Sequence, residues 1–373
     1  MNAPQPPTEQ LNPWPELVAR TKDLYYRLER WLLDGKRASY GVSMARILYG
    51  LIAVLFVVTN FGPRNVLWGS GAQWAEPLRW NSIWGPPFTF YTPDDGTVLF
   101  TLKFLLLGLA GLSLMVGFLS RTSAIVVLYL MTSLVNSNPA VTDAQDNAYR
   151  IMLLLFCFTD WSQHWSVDAW RRRRRALAGK RPYPLSAERL LPSWVPAGIH
   201  NVALIAIAYQ LFTIYAIAGL AKLAGDTWRS GTAVYFPLAS DRFNIWPWLN
   251  EMLYSNGVMV GLVTFFSVAI QIAFPLMLLQ RWTRIIGLLG ISAMHLMIGV
   301  VMGLGLFSLA MVAADVIFIR NRSYQWAERK LRAIWARLRE TRMPPAQEQK
   351  PGKSNGEGKS KDKSKAGLAG VSR

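Results

Sequence analysis

Apolar residues fall into eight blocks along the chain, at roughly 41–60, 97–118, 122–138, 147–160, 199–223, 257–280, 285–301 and 303–320. Runs of this length are read as membrane-spanning helices, each needing about 20 apolar residues when perpendicular to the bilayer. The pattern predicts an all-α fold: a polytopic integral membrane helical bundle of about eight transmembrane helices. Several blocks are shorter than a full span, so tight turns or partial spans are expected. The third and fourth blocks, and the seventh and eighth, read as helical hairpins.

Two flanking stretches carry a different pattern. Leu17, Leu24, Leu28 and Trp31 recur at helical spacing among charges, as do Trp326, Ile334, Trp335 and Leu338. Basic amphipathic helices lying on the inner leaflet explain both. The chain thus divides into a basic N-terminal segment (1–40), a transmembrane domain (41–320), an interfacial helix (321–342) and a tail (343–373). The tail is rich in Lys, Ser and Gly and is expected to be disordered.

Charge sets the orientation. The chain has 40 Lys+Arg against 22 Asp+Glu, a net charge of +18. Such an excess suggests nucleic acid first, but the basic residues cluster between the apolar blocks and in the tail, as cytoplasmic loops do. Arg171–Arg175 is therefore a topology determinant, and no nucleic-acid partner is expected. The opposite loops, about 61–96, 139–146 and 224–256, hold only Arg64, Arg79, Arg229 and Arg242 as basic residues. Both termini are placed in the cytoplasm, with the protein in the cell membrane and membrane lipids as its immediate partners. Residues 1–40 lack the pattern of a cleaved signal peptide, so the first span is expected to remain.

The outer loops are aromatic, with Trp68, Trp74, Trp80, Trp84 and Phe88 in one and Trp228, Trp246 and Trp248 in the other. Anchoring at the membrane interface is the default for such residues; a lid over an apolar ligand is the sharper alternative. Cys157 is the only cysteine, which excludes an intramolecular disulfide. His164, His200 and His295 match no metal-ligand spacing, and no metal site is expected.

Candidate chemistry centres on Lys222, inside the apolar stretch Ile199–Leu223. A cation there is costly and marks either a functional site or a side chain snorkelling from the last turn. Burial favours a neutral amine, which can act as a base. Tyr215, Gly219 and Lys222 share one helix face among small residues that permit close helix approach. His295, Lys103 and the group Gln145, Asp146 and Arg150 come from other blocks but fall in the same outer leaflet. Their convergence would let Asp146 pair with a cation. Arg46, near the inner end of the first block, is expected to snorkel, and inner Asp315 to pair with Arg320 or a neighbouring helix.

Three stretches carry a family resemblance: Phe158–Asp168, with Asp160, Trp165 and Asp168; Gln210 through Lys222 to Trp228 and Gly231; and His295 followed by Gly305–Ser308. Together they resemble the HTTM-domain family, the superfamily that includes vitamin K-dependent gamma-carboxylase. The resemblance implies Lys222 as the base that deprotonates a reduced quinone (menaquinol or vitamin K-like), with His295 assisting. It makes Tyr215, Gly219, Trp228 and Lys103 candidates for the cofactor's site, and Asp160, Trp165 and Asp168 a structural motif.

In the carboxylases, oxygen then converts the deprotonated quinol into a strong base, and a glutamate is carboxylated. This chain departs from their pattern at Gln145, where they have histidine, and at Ile298, where they are polar. Proton-abstracting quinol chemistry survives these changes better than carboxylation does. The expected function is a quinol-using enzyme that modifies a secreted peptide or another substrate. The alternative is a non-catalytic maturation or export factor resembling sporulation-delaying protein B, and a thiol-disulfide oxidoreductase partner fits either.

Overall fold

A computed structural model describes residues 14–342 apart from 79–88, 93, 143 and 182–189. All regular structure among the described residues is helical. In chain order the principal helices are α1 (Trp14–Leu33), α2 (Ser39–Asn60), α3 (Thr97–Val116), α4 (Ser120–Ser137), α5 (Ala144–Cys157) and α6 (Val167–Leu177). They continue with α7 (Trp194–Ala224), α8 (Gly257–Met277), α9 (Arg281–Val301), α10 (Gly305–Asp315) and α11 (Asn321–Arg342). Each of the eight apolar blocks has its helix. Five of them, α2, α3, α7, α8 and α9, are long and apolar enough to cross a membrane. Helices α5 and α10 are too short for that, with 14 and 11 residues, and α4 is too polar over its 18.

The helix ends follow local chemistry. Gly117 takes φ 73° after α3 and returns its N–H to Leu114, a left-handed stop that glycine adopts without strain. Ser166 caps α6 and Asn256 caps α8 through side-chain oxygens. Asp168 caps α4 from a distance, accepting hydrogen bonds from the backbone N–H groups of Leu119 and Ser120.

Consecutive helices pack in two runs, α2 to α5 and α7 to α10, and the runs meet where α2 packs on α10 and α5 on α7. Helix α10 packs on α2, α5, α7 and α9. Its buried face is Ser308, Ala310, Met311, Ala313, Ala314 and Asp315, small enough to let four neighbours approach. The tightest crossing is α2 on α3. A Cβ on Gly50 would lie 2.4 Å from the Met115 backbone nitrogen, and one on Gly111 would lie 2.7 Å from the Ala53 Cβ. The outward faces stay apolar: Val98, Leu102, Leu109, Leu262 and Leu289 are all exposed, as lipid contact requires.

Arg46 does not snorkel. It is fully buried, and its guanidinium donates to the carbonyls of Leu114, Met115, Trp161 and Trp165. Helix α3 ends against this residue, leaving carbonyls without intrahelical partners, and a rigid five-donor fork satisfies them better than water at that depth could.

The outer loops also depart from a simple interfacial belt. Trp68 is buried on Phe56 and Phe104, and Tyr91 packs on Phe100, whereas Trp74, Trp246 and Trp248 remain exposed. Trp80, Trp84, Phe88 and Arg79 lie outside the described residues, as does the tail 343–373. Residues 224–256 fold into short helices, including Asp226–Arg229, Tyr235–Leu238 and Pro247–Tyr254. From Trp326 onward the chain forms a unit of its own, in which Arg332 pairs with Glu328 and Lys330 lies over Trp326.

Candidate functional site

Lys222 sits in the last turn of α7. Its ammonium donates to Gln271 Oε1 of α8 at 2.7 Å and lies 4.7 Å from the ring centroid of Trp228. Among the described residues no carboxylate lies within ion-pair range of it. Gly219 explains how the two helices come so close: a Cβ there would meet Ile272 Cγ1 at 2.6 Å, so only glycine lets α8 bring Gln271 to the lysine. Trp228 is held by the turn at Gly225, against which its ring packs. The amine is thus held by a neutral amide and an aromatic face, with no counter-anion among the described residues.

One turn and more below lies a fully buried polar cluster. Tyr215 of α7 donates to Asp315 Oδ2 of α10 at 2.6 Å, and His295 Nε2 of α9 is 3.2 Å from the same phenolic oxygen. Phe274 packs edge-on against Tyr215, and Phe307 against His295. Four helices supply the two groups, which α7 links along one face: Lys222 with Gln271 of α8, and Tyr215 with His295 of α9 and Asp315 of α10. Three polar atoms at or beside the second group are buried without a partner among the described residues: His295 Nδ1, Asp315 Oδ1 and Ser308 Oγ.

Lys103 is not brought to Lys222: both oxygens of Asp95 hold its ammonium at 2.7 Å, and the Phe90 carbonyl accepts from it at 2.8 Å. Burial raises the Asp95 carboxyl, but hydrogen bonds from Lys103 and Thr92 outweigh it and hold the group below the usual carboxylate range. Gln145 and Asp146 lie in the first turn of α5, where the Arg150 guanidinium donates to the Asp146 carbonyl and to Asn147 Oδ1. Arg150 lines a lateral cleft of about 430 Å³ with Leu128, Tyr129 and Leu154. Of the expected groups, Lys103 is thus taken up by Asp95, and His295 meets Tyr215 of α7.

Asp160, Trp165 and Asp168 all make structural contacts at the opposite helix ends. Asp160 pairs with Lys36, and its backbone N–H donates to His200 Nδ1, while His200 Nε2 lies 2.8 Å from the Arg37 carbonyl. Trp165, at φ 49°, offers its carbonyl to Arg46. His164 stacks on Tyr40 with centroids 3.7 Å apart.

Sequence reasoning missed two members. Gln271 is an uncharged amide in an apolar helix and gave no signal. Asp315 is expected to pair with Arg320 or a neighbouring helix, and the second holds, through Tyr215 of α7; its membership of this cluster was missed, though its charge inside an apolar block was the available clue.

Tyr215, Lys222, Trp228, His295 and Asp160–Asp168 fall within the three stretches that carried the resemblance, and the HTTM domain model matches residues 36–323. The chain belongs to the HTTM domain family. Neither a curated protein nor a solved structure matches it. Membership makes it, at the level of the family, a vitamin K-dependent carboxylase-like membrane protein, in keeping with its long apolar helices. The match begins at Lys36 and ends at Ser323, enclosing both the Lys222 site and the Asp160–Asp168 junction. In this HTTM protein Asp160 and Asp168 are engaged by Lys36 and by the start of α4, and buried polar atoms without a partner among the described residues occur in both regions.

Proposed function

We propose that this HTTM protein is a quinol-dependent membrane enzyme in which Lys222 is the proton-abstracting base. The observation that carries the reading is the lysine's setting, at hydrogen-bond distance from Gln271 and against Trp228, with no carboxylate among the described residues to hold its proton. The donor set fits a hydroxylated aromatic headgroup. Trp228 supplies a ring face, Lys222 and Gln271 supply polar atoms, and His295 adds an imidazole. A reduced quinone, menaquinol or vitamin K-like, would supply a phenolic proton and the electrons for reaction with oxygen.

Lys222 accepts the proton, Gln271 orients the amine, and the apolar wall of α7 and α8 keeps water from competing. Gly219 sets the spacing, and Tyr215 supports His295 from below. Lys103 is the weakest of the cofactor candidates because its ammonium is already engaged. By the charge bias of the loops, the site opens to the outer leaflet of the cell membrane, with both termini cytoplasmic. There a quinol arrives laterally and a secreted peptide from the aqueous side.

The test is the quinone content of lipids co-purifying with detergent-solubilised protein, comparing wild type with Lys222→Ala and Lys222→Arg. Enriched menaquinone or ubiquinone in wild type, lost in Lys222→Ala, supports the reading. Lys222→Arg should fail in function at normal protein levels, because a guanidinium does not give up its proton. No enriched quinone and no binding of added quinol would overturn it. The departures at Gln145 and Ile298 would then favour a maturation or export factor for a secreted peptide, which should tolerate Lys222→Arg.

A further inference from the structure

The Tyr215–His295–Asp315 cluster holds more order than a buried hydrogen-bonded group needs. Tyr215 has one phenolic proton and two polar neighbours, Asp315 Oδ2 at 2.6 Å and His295 Nε2 at 3.2 Å. The shorter contact lies in the range of a hydroxyl donating to a carboxylate, about 2.5–2.7 Å. With Asp315 ionised and the phenolic proton committed to it, the phenolic oxygen can only accept, and the group left to donate is His295 Nε2–H. The other ring nitrogen, Nδ1, is then bare, turned away from Tyr215 by the geometry of the imidazole, buried and without a protein partner. Phe307 against His295 and Phe274 against Tyr215 keep both rings from swinging out of this arrangement.

We propose that Asp315 is a positioning residue that, through Tyr215, fixes His295 as the Nε2–H tautomer and leaves Nδ1 as the hydrogen-bond acceptor of the Lys222 site. A histidine oriented by a carboxylate is a general device for settling which nitrogen is free; here a tyrosine is interposed, so the carboxylate acts at one remove. Asp315 sits on α10, which packs against α2, α5, α7 and α9, and the orienting group is therefore anchored to a helix held by four neighbours. The inference rests on the proposed function only for the use made of Nδ1.

The experiment is magnetic resonance of detergent-solubilised, full-length protein carrying ring-nitrogen-labelled histidine. The chain has 3 histidines, so His164 and His200 serve as internal references, and His295→Gln assigns the third signal. In wild type the one-bond N–H coupling should appear at Nε2 of His295, with Nδ1 at the shift of an unprotonated nitrogen. In Asp315→Asn the amide can donate as well as accept, and the Nε2–H population should fall in favour of Nδ1–H while the two reference histidines stay put.

Tyr215→Phe cuts the same link and should give a mixed ring, which keeps the test alive if Asp315→Asn does not fold. A wild-type His295 protonated at Nδ1, or a ring unchanged by both substitutions, overturns the proposal. The measurement needs no quinone. A protein that binds none but holds the Nε2–H ring would therefore sink the proposed function and leave this inference standing.

Discussion

The 2.7 Å bond from Lys222 to Gln271 makes a neutral amide the lysine's immediate partner, and that choice can be tested by charge. Gln271→Glu would put a carboxylate at the same distance and hold the proton on the amine. Opposite charges within about 4–6 Å shift such an equilibrium by roughly 1–3 pH units. Acylation of Lys222 by an amine-reactive reagent at mildly alkaline pH, read by peptide mass spectrometry, should slow at least ~10-fold, in line with that shift. Unchanged acylation would mean that Gln271 does not govern the lysine.

Asp95 and Lys103 give a second test. Removing Lys103 leaves a carboxylate that is 5% exposed without its cation, so Lys103→Met should destabilise by about 3–5 kcal/mol. The double replacement Asp95→Leu with Lys103→Met should recover much of that loss, as thermal unfolding in detergent would show. The pH dependence has a definite sign, because the folded Asp95 is held below its usual range. Its stabilisation is full above about pH 4, the unfolded carboxylate's range, and is lost as pH falls through the lower folded value. Asp95→Asn should lack that acid-side loss.

The helix-scale features that matter most are two close approaches and one buried cation. At the α2–α3 crossing the atoms facing Gly50 are backbone, which cannot move aside as a side chain can. Gly50→Ala should therefore lower stability by roughly 1–3 kcal/mol or more, the usual overpacking cost, measurable as a drop in unfolding temperature. A Cβ at Gly219 faces the Ile272 side chain instead. Gly219→Ala should therefore cost less stability and act mainly by pushing Gln271 from Lys222, so quinone retention should fall before thermal stability does.

Arg46 joins the end of α3 to the Trp161–Trp165 segment through four carbonyls. A lysine has three donors on a point charge and no planar fork, and Arg46→Lys would strand at least one of them, at about 1–3 kcal/mol. A wild-type unfolding temperature for that variant would show that the carbonyls find other donors.

At the scale of the helical unit before Trp326, the runs α2 to α5 and α7 to α10 meet at α10 and at the α5–α7 contact, and the candidate site lies among α7, α8, α9 and α10. Its orientation in the membrane can be checked directly, because Cys157 is the sole cysteine. In a Cys157→Ser background, a membrane-impermeant maleimide applied to intact cells should label Ser255→Cys in the outer loop and spare Arg173→Cys; the reverse pattern would invert the topology. The sequence alone located the helices, since apolar blocks and their polar breaks are local properties of the chain, and the basic residues gave the expected sidedness. It also singled out Lys222, Tyr215 and His295, because polar groups in apolar helices announce themselves by their cost. Which of those groups meet was decided by helix lengths, crossings and registers. The shortness of α10 set Asp315 beside Tyr215, the bare face of Gly219 admitted Gln271, and the Asp95 loop took Lys103 out of the site. Contacts between residues 49 to 100 positions apart depend on packing at several helix crossings at once, and no periodicity along one helix encodes that.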